Sequence, residues 1–307
     1  MMTLQRILCP IDFSESSRRA LHYAKALSVW YEAPLTVVHV CVDLPVFEMA
    51  SPFGHTAATA LVLEQAQLAE RRAAVHRFVT SAGVGDSTEI LVSEGIDAKA
   101  EILRQAAASC ASLIVMGTHG RSGLEHMLLG SVTEKVLHKA QCPVLVVPPH
   151  AAPADRVSPV FTRIVCAIDF STGSLLAFNL ALGLAQEADA RLTLLHAIEF
   201  PAALREVVFS TDANVDRLHA AAEAEYLRRL RALVPAGARM YCTVTARVNE
   251  GKPAREIQQV AADEAADLIV MGVQGRGAVD LMVFGSNTNT AIRTATCPVL
   301  VVPTPRG

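Results

Sequence analysis

The segment L-I-V-M-G-T-H-G-R at Leu113–Arg121 decides the architecture, because it returns as L-I-V-M-G-V-Q-G-R at Leu268–Arg276. Upstream of it, R-I-L-C-P-I-D-F-S at Arg6–Ser14 returns as R-I-V-C-A-I-D-F-S at Arg163–Ser171. Each second copy follows the first by about 155 residues, which is the length of one ordinary domain. The order and spacing of these motifs predict a tandem duplication of one domain.

The third repeated segment, C-P-V-L-V-V-P, stands at Cys142–Pro148 and again at Cys297–Pro303. This segment is the last repeated one in each half and therefore marks the end of each domain. We predict a first domain over residues 1–148, a proline-rich linker over 149–160 and a second domain over 161–307. The two apolar closing segments are expected to pair with each other, since each would otherwise leave an exposed sheet edge.

Short apolar runs alternate with segments of helical spacing in both halves, a pattern typical of parallel strands covered by helices on both faces. Right-handed crossovers then predict an α/β fold of two doubly wound domains, each with a five-stranded parallel sheet. In such folds ligands bind at the carboxyl ends of the strands. The predicted strands are Ile7–Ile11, Leu35–Val42, Thr88–Val92, Leu113–Met116 and Val144–Val147, with counterparts near Ile164–Ile168, Leu192–Ala197, Tyr241–Val248, Leu268–Met271 and Val299–Val302.

Composition excludes several classes of protein. The 307 residues carry 27 basic and 30 acidic side chains, a net charge of -3 that argues against a nucleic-acid-binding protein. The apolar runs stay shorter than the roughly 18 residues that a membrane-spanning helix needs. Asp12 comes too early for a secretory signal, and the seven cysteines include no C-x-x-C pair. These features predict a cytoplasmic protein with reduced thiols.

A glycine-rich loop follows the fourth predicted strand of each half. It runs from Gly117 to Ser131 and from Gly272 to Ser286, and both copies fit the spacing G-x2-G-x9-G-S. Glycine lets the backbone approach an anion closely, and the serine opens a helix whose amino terminus attracts negative charge. A phosphate chain is the expected ligand. The alternative is a tight turn in which glycine serves only close packing of strand and helix.

These motifs resemble those of the universal stress protein family in its tandem two-domain form. The residues that carry the resemblance are P-I-D-F-S and A-I-D-F-S after the first strand, the two glycine loops and the closing C-P-V-L-V-V-P strands. The resemblance covers nearly the whole chain. It implies a fold like that of the adenine-nucleotide α-hydrolases, pairing of the domains through their last strands, ATP binding, and a role in stress survival.

The resemblance also implies which residues contact the nucleotide. Asp12 and Asp169 would hold Mg²⁺ or the ribose, and both could equally cap the helix that follows, since the two roles are compatible. Val40 and Ala197 would lie beside the adenine, and Arg121 and Arg276 either neutralise phosphates or face solvent. The remaining candidates for cofactor binding are Gly117, Gly120, Gly130, Ser131 and Val132 in the first half and Gly272, Gly275, Gly285, Ser286 and Asn287 in the second.

Three functions are compatible with the sequence. The first is an ATP-binding protein, with Mg²⁺, that acts through its conformation or through partners. The second is a slow ATPase or phosphotransferase that uses the same site, although no nucleophile–base pair is evident in the sequence. The third is a chaperone-like interaction protein whose glycine loops are structural. The predicted partners are an adenine nucleotide and the other domain of the same chain, and a homodimer stays open.

Overall fold

A computed structural model describes residues 4–42, 57–85, 88–120, 129–152, 160–199, 212–273 and 285–304. Strands and helices alternate along both halves, as the sequence predicts. The first half contains β1 (Ile7–Ile11), α1 (Glu15–Tyr31), β2 (Leu35–Val42), α2 (Ala57–Ser81), β3 (Glu89–Gly95), α3 (Ala98–Ala108), β4 (Leu113–Gly117), α4 (Ser131–Lys139) and β5 (Val144–Val147).

The second half repeats this order with one addition. Its elements are β6 (Arg163–Ala167), α5 (Thr172–Glu187), β7 (Arg191–Ile198), α6 (Asp212–Leu233), a short 3-10 helix (Ala236–Met240), β8 (Thr243–Glu250), α7 (Pro253–Asp263), β9 (Leu268–Gly272), α8 (Ser286–Thr294) and β10 (Val299–Val302). The 3-10 helix ends at Met240, so β8 begins two residues later than the predicted strand start at Tyr241.

The ten strands within the described residues form a single sheet in the order β3-β2-β1-β4-β5-β10-β9-β6-β7-β8. Every pair within a half is parallel, and β5 pairs with β10 antiparallel. In this central pair Leu145 lies opposite Leu300 and Val146 lies opposite Val299. The predicted pairing of the closing strands is therefore confirmed, and two five-stranded parallel sheets join through it into one.

The core consists of two apolar layers, one on each face of the sheet. Successive strand residues point to opposite faces, so Val115 belongs to the layer beneath α1 and α5, and Ile114 belongs to the layer beneath α3 and α4. Both layers contain residues of both halves. The central pair thus joins the halves through packing as well as through backbone hydrogen bonds.

Residues at the two ends of the predicted linker, and Phe161 next to it, pack near α1. Tyr23 stacks on Phe161 at a centroid distance of 6.2 Å, and its hydroxyl donates to the carbonyl of Ala152. Ala151 and Val160 are buried. Both ends of the predicted linker are therefore anchored in the core, whereas residues 153–159 lie outside the described residues.

Candidate functional site

The turn after the first strand is built the same way in both halves. The side chain of Ser14 accepts a hydrogen bond from the Ser17 amide and thereby caps α1. One carboxylate oxygen of Asp12, Oδ1, accepts from the amide of Ser14 at 3.0 Å and from its hydroxyl at 2.5 Å. Asp169 makes the same two bonds to Ser171 at 3.0 and 2.6 Å. The helix caps are therefore the serines, and the capping alternative for the two aspartates is wrong; the aspartates orient the cap.

An aromatic residue in left-handed conformation links each aspartate to its serine. Phe13 has φ 66° and Phe170 has φ 63°, a conformation that is costly for a bulky side chain and that occurs preferentially at functional sites. Phe13 packs against the rings of His39 and Phe78 at 4.5 and 5.5 Å. Packing of this kind holds the strained turn, and with it the aspartate, in one position.

The second half has the same kind of aromatic support, although the cation that covers it comes from a different helix. Phe170 packs against His196 and Tyr226. A guanidinium covers each cluster, but Arg18 on α1 stacks on Phe78, whereas Arg229 on α6 stacks on Phe170. The two halves thus place a cation on equivalent aromatic clusters, but the cation comes from α1 in the first half and from α6 in the second. His39 and His196 are hydrogen-bonded through Nδ1 to the carbonyls at the end of the first strand of each half.

A cavity of about 170 Å³ opens at the carboxyl ends of β1, β2 and β4. Its wall includes most of the residues predicted for the first half: Asp12, Val40, Gly117, Gly120, Gly130, Ser131 and Val132. The structure therefore brings these separate motifs to one place. Arg121 lies outside the described residues.

The sequence did not reveal every wall of this cavity. Ala98 and Ile102 on α3 close one side, and His119 lies on the loop after β4. The available signal for α3 was the recurrence of Ile102 as Ile257 at the matching position of the repeat. His119 offered no such signal, because the matching residue is Gln274.

The cavity wall contains both apolar and polar groups. Val38, Ile102 and Met116 are apolar, and each is buried. Gly130 caps α4 without a side-chain hydrogen bond, and Ser131 begins the helix. Unpaired backbone N–H groups of such a helix start favour an anion.

The glycines of the first-half loop have different structural roles. A Cβ on Gly120 would stand 2.6 Å from Oδ2 of Asp12, so glycine there permits the carboxylate to lie against the loop. A Cβ on Gly117 would instead collide with Ser16 on α1. The structural alternative, close packing of strand and helix, therefore applies to Gly117 even though this residue also lines the cavity.

The second half repeats this frame. A Cβ on Gly272 would lie 2.7 Å from the carbonyl carbon of Gly173 on α5. Asp169 follows β6, Ala197 lies in β7, and Gly285 caps α8, whose first residues are Ser286 and Asn287. These positions match the first-half residues one by one. Gly275 and Arg276 lie outside the described residues.

One ionisable residue outside the turn, Glu101, has a structural role. Glu101 on α3 is 7% exposed and accepts hydrogen bonds from Arg104, Ser93 and Gln105. The Arg104 guanidinium lowers the pKa of Glu101 to about 2 despite the opposing effect of burial. Because Ser93 is in β3, Glu101 ties α3, and thus a cavity wall, to the sheet.

Burial raises the pKa of the Cys142 and Cys297 thiols to about 11 and about 12, which keeps both thiols neutral near pH 7.

The described residues contain neither a cluster of metal-ligating side chains nor a helix suited to a membrane. No group of three or more His, Cys, Asp and Glu side chains there is placed to hold a metal ion. No helix in the same ranges is long and apolar enough to cross a bilayer.

The fold and the site define a doubly wound α/β protein of two repeated domains with a cavity at the strand ends of the first. The family model of the universal stress protein family matches residues 3–148 and 161–303. The chain belongs to this family. A universal stress protein of Mycobacterium tuberculosis is 26% identical over 308 residues, which cover 96% of each chain. One from Methanocaldococcus jannaschii is 36% identical over 143 residues, covering 47% of this chain and 81% of that protein.

A comparison with solved structures supports the same fold. The crystal structure of a universal stress protein from Archaeoglobus fulgidus superposes with a TM-score of 0.64 and covers 98% of this chain and 99% of that one. The sequences are 23% identical, so this likeness concerns the fold alone.

Proposed function

We propose that the first-half cavity binds an adenine nucleotide, ATP, and that the second half carries a related site. The observation that carries this proposal is the juxtaposition, in one cavity, of an apolar wall, the Asp12 carboxylate and the start of α4. A purine base suits the wall of Val38, Val40 and Ile102, which offers contact area without charge. The phosphates suit the start of α4 at Ser131, because the amino terminus of a helix favours anions.

Asp12 and Asp169 would hold Mg²⁺ together with the phosphate oxygens. The donor type fits, because Mg²⁺ takes carboxylate oxygen and is usually bound by one or two carboxylates plus substrate phosphates. The ion would neutralise phosphate charge when bound. The left-handed Phe13 and the cap at Ser14 hold the Asp12 carboxylate at the cavity before any ligand arrives.

The nucleotide would act as a ligand that favours one conformation of the tandem pair, which requires different affinity for two states. We assign no catalytic base in the cavity, so the proposed output is a regulatory, stress-related response of a cytoplasmic protein rather than turnover. Isothermal titration of the full chain with ATP and with adenosine, in Mg²⁺, tests binding. Mass spectrometry of small molecules released on denaturation tests which nucleotide the protein retains.

The expected result is saturable ATP binding with adenosine bound more weakly, because adenosine lacks the phosphates. If the protein binds neither ATP nor adenosine, the proposal is refuted. Release of phosphate from ATP above the background of a Gly120→Val variant would instead favour the ATPase.

A further inference from the structure

The sheet edge of the second half presents unpaired backbone groups. β8 is the last strand in the sheet order, so among the described strands it pairs with β7 alone. The amides of Thr243 and Gly251 both donate to carbonyls on the β7 side. Because the hydrogen-bonding groups of a strand alternate in direction, the amides and carbonyls of Val244, Ala246 and Val248 point away from β7. An edge of this kind is a template for another strand.

A cavity of about 270 Å³ lies along this edge. Arginines from two different elements line it, Arg231 in the last turn of α6 and Arg239 in the 3-10 helix. The other wall residues are uncharged: Val234, Val244, Thr245 and Ala246. Within the part of the chain that the structure describes, no ion pair engages Arg231 or Arg239. Two guanidinium groups beside a wall without a carboxylate favour an anionic group.

The 3-10 helix presents large side chains on an anchored turn. Ala238 and Cys242 are buried, and the amides of Tyr241 and Cys242 both donate to the carbonyl of Ala238. Met240 and Tyr241 are nevertheless 75% and 58% exposed. Methionine, aromatic residues and arginine are enriched at protein interfaces. Because the turn is already ordered, a partner that binds here loses less free energy to ordering.

The opposite edge of the sheet, β3, differs in charge at the matching position. Glu89 of β3 pairs in register with Thr36. In β8 the matching residue is Thr245, which pairs with Thr193. Glu89 is exposed and forms an ion pair with Arg6 at 2.7 Å. The carboxylate disfavours an acidic segment at β3, so of these two edges β8 is the one that suits such a segment.

We propose that the β8 edge is a docking site for an extended acidic peptide segment of a partner protein. The segment adds a further strand, which exchanges backbone hydrogen bonds with Val244, Ala246 and Val248. Its acidic side chains contact Arg231 and Arg239. In strand addition the main chain supplies affinity and the side chains supply specificity. This docking does not depend on nucleotide binding.

Amide hydrogen exchange of the full chain, followed by NMR, tests the docking without a variant. The probe is a synthetic peptide of about seven residues, alternating valine and glutamate, with blocked termini. Saturating peptide should slow exchange at Val244, Ala246 and Val248 at least about tenfold. The amides of Thr245 and Arg247 already face β7 and should be protected with and without peptide. Unchanged exchange at the three outward amides would overturn the inference.

Ala246→Pro removes one outward N–H and leaves the bonds to β7 in place, so peptide affinity should fall at least about tenfold. Arg231→Gln and Arg239→Gln should each weaken binding about threefold, as expected for an exposed ion pair. Arg77→Gln is the matched control, because Arg77 is an exposed arginine on α2 outside the cavity. Thermal unfolding without peptide should show the three arginine variants to be as stable as wild type.

Three further results would overturn the inference. Equal affinity for a peptide with lysine in place of glutamate would exclude a role for the arginines. If N-acetylglutamate binds as tightly as the peptide, the cavity is a site for small anions. Sedimentation that shows a dimer, with the outward amides protected in the absence of peptide, would assign the edge to a second copy of the chain. A protein that binds the peptide but no ATP would refute the proposed function and leave this inference intact.

Discussion

The carboxylate of Asp12 and the backbone of Gly120 lie directly against each other, since a Cβ on Gly120 would stand 2.6 Å from Oδ2 of Asp12. The two residues follow different strands, β1 and β4, which pair in parallel with Ile7 opposite Leu113. Because the carboxyl ends of parallel neighbours meet at one sheet edge, this pairing brings the D-F-S turn to the glycine loop.

Substitution of Gly120 should therefore act on Asp12. In Gly120→Ala the added Cβ displaces the carboxylate, and ATP affinity should fall at least about tenfold, or ~1.4 kcal/mol. Gly85→Ala is the matched control, because its Cβ would meet nothing within 4 Å. Isothermal titration measures the affinities. Unchanged affinity in Gly120→Ala would show that the position of the carboxylate does not matter for binding.

Asp12→Asn and Asp169→Asn should weaken ATP binding in Mg²⁺ and leave it nearly unchanged in EDTA. Asparagine keeps an oxygen that accepts from the cap serine, so the turn should survive, but it lacks the charge that favours Mg²⁺. Titrations of both variants in both buffers provide the measurement. An equal loss in the two buffers would point to a contact with the ribose or base instead of the metal.

Gly117→Ala and Gly272→Ala should lower stability more than affinity. Their Cβ atoms would collide with Ser16 on α1 and with the Gly173 backbone on α5, respectively. Overpacking of this kind typically costs about 1–3 kcal/mol. Urea unfolding of each variant checks the value. If both variants are as stable as wild type, then α1 and α5 move away from the added Cβ atoms without a loss in the free energy of unfolding.

Glu101→Gln should destabilise the protein at neutral pH and much less in acid. The folded-state pKa of Glu101 is lowered to about 2, so the ionised form is favoured by folding. That stabilisation is complete above the unfolded pKa near 4.5 and is lost as pH falls through about 2. The difference in unfolding free energy between wild type and variant should therefore shrink between about pH 4.5 and pH 2.

Glu225→Gln is the control for this experiment. Glu225 forms the same (i,i+3) pair with Arg228, but both side chains are exposed. Solvent screens such pairs, so this variant should change stability little at any pH. A Glu101→Gln effect that does not depend on pH would contradict the argument from its lowered pKa.

Leu145 and Leu300 should be energetically coupled across the junction of the halves. They face each other in the β5–β10 pair and are 1% and 3% exposed. Each change to alanine should cost about 2–5 kcal/mol. A double-mutant cycle should give a coupling of about 0.5–3 kcal/mol. Additive effects would show that the halves do not depend on this contact for their stability.

Much of the fold could be predicted because strand and helix patterns are local. Apolar runs such as Leu113–Met116 and their repeats placed all ten strands to within a few residues. The duplication also predicted the pairing of Val144–Val147 with Val299–Val302, because two identical apolar edges need cover. The candidate site was predicted where a motif stands at a strand end, as with Asp12 and the loop glycines; whether these residues bind a nucleotide stays a prediction.

The sequence by itself determined the duplicated α/β architecture, its strands and the ends at which a ligand would bind. Only the tertiary structure decided that Ser14 caps α1 in place of Asp12, that Gly117 serves helix packing, and that Ile102 and His119 wall the cavity. The physical reason is that periodicity and propensity act between neighbours in the chain. Contacts between a loop, a turn and a helix from distant segments depend instead on the strand order and on the close approach of backbones.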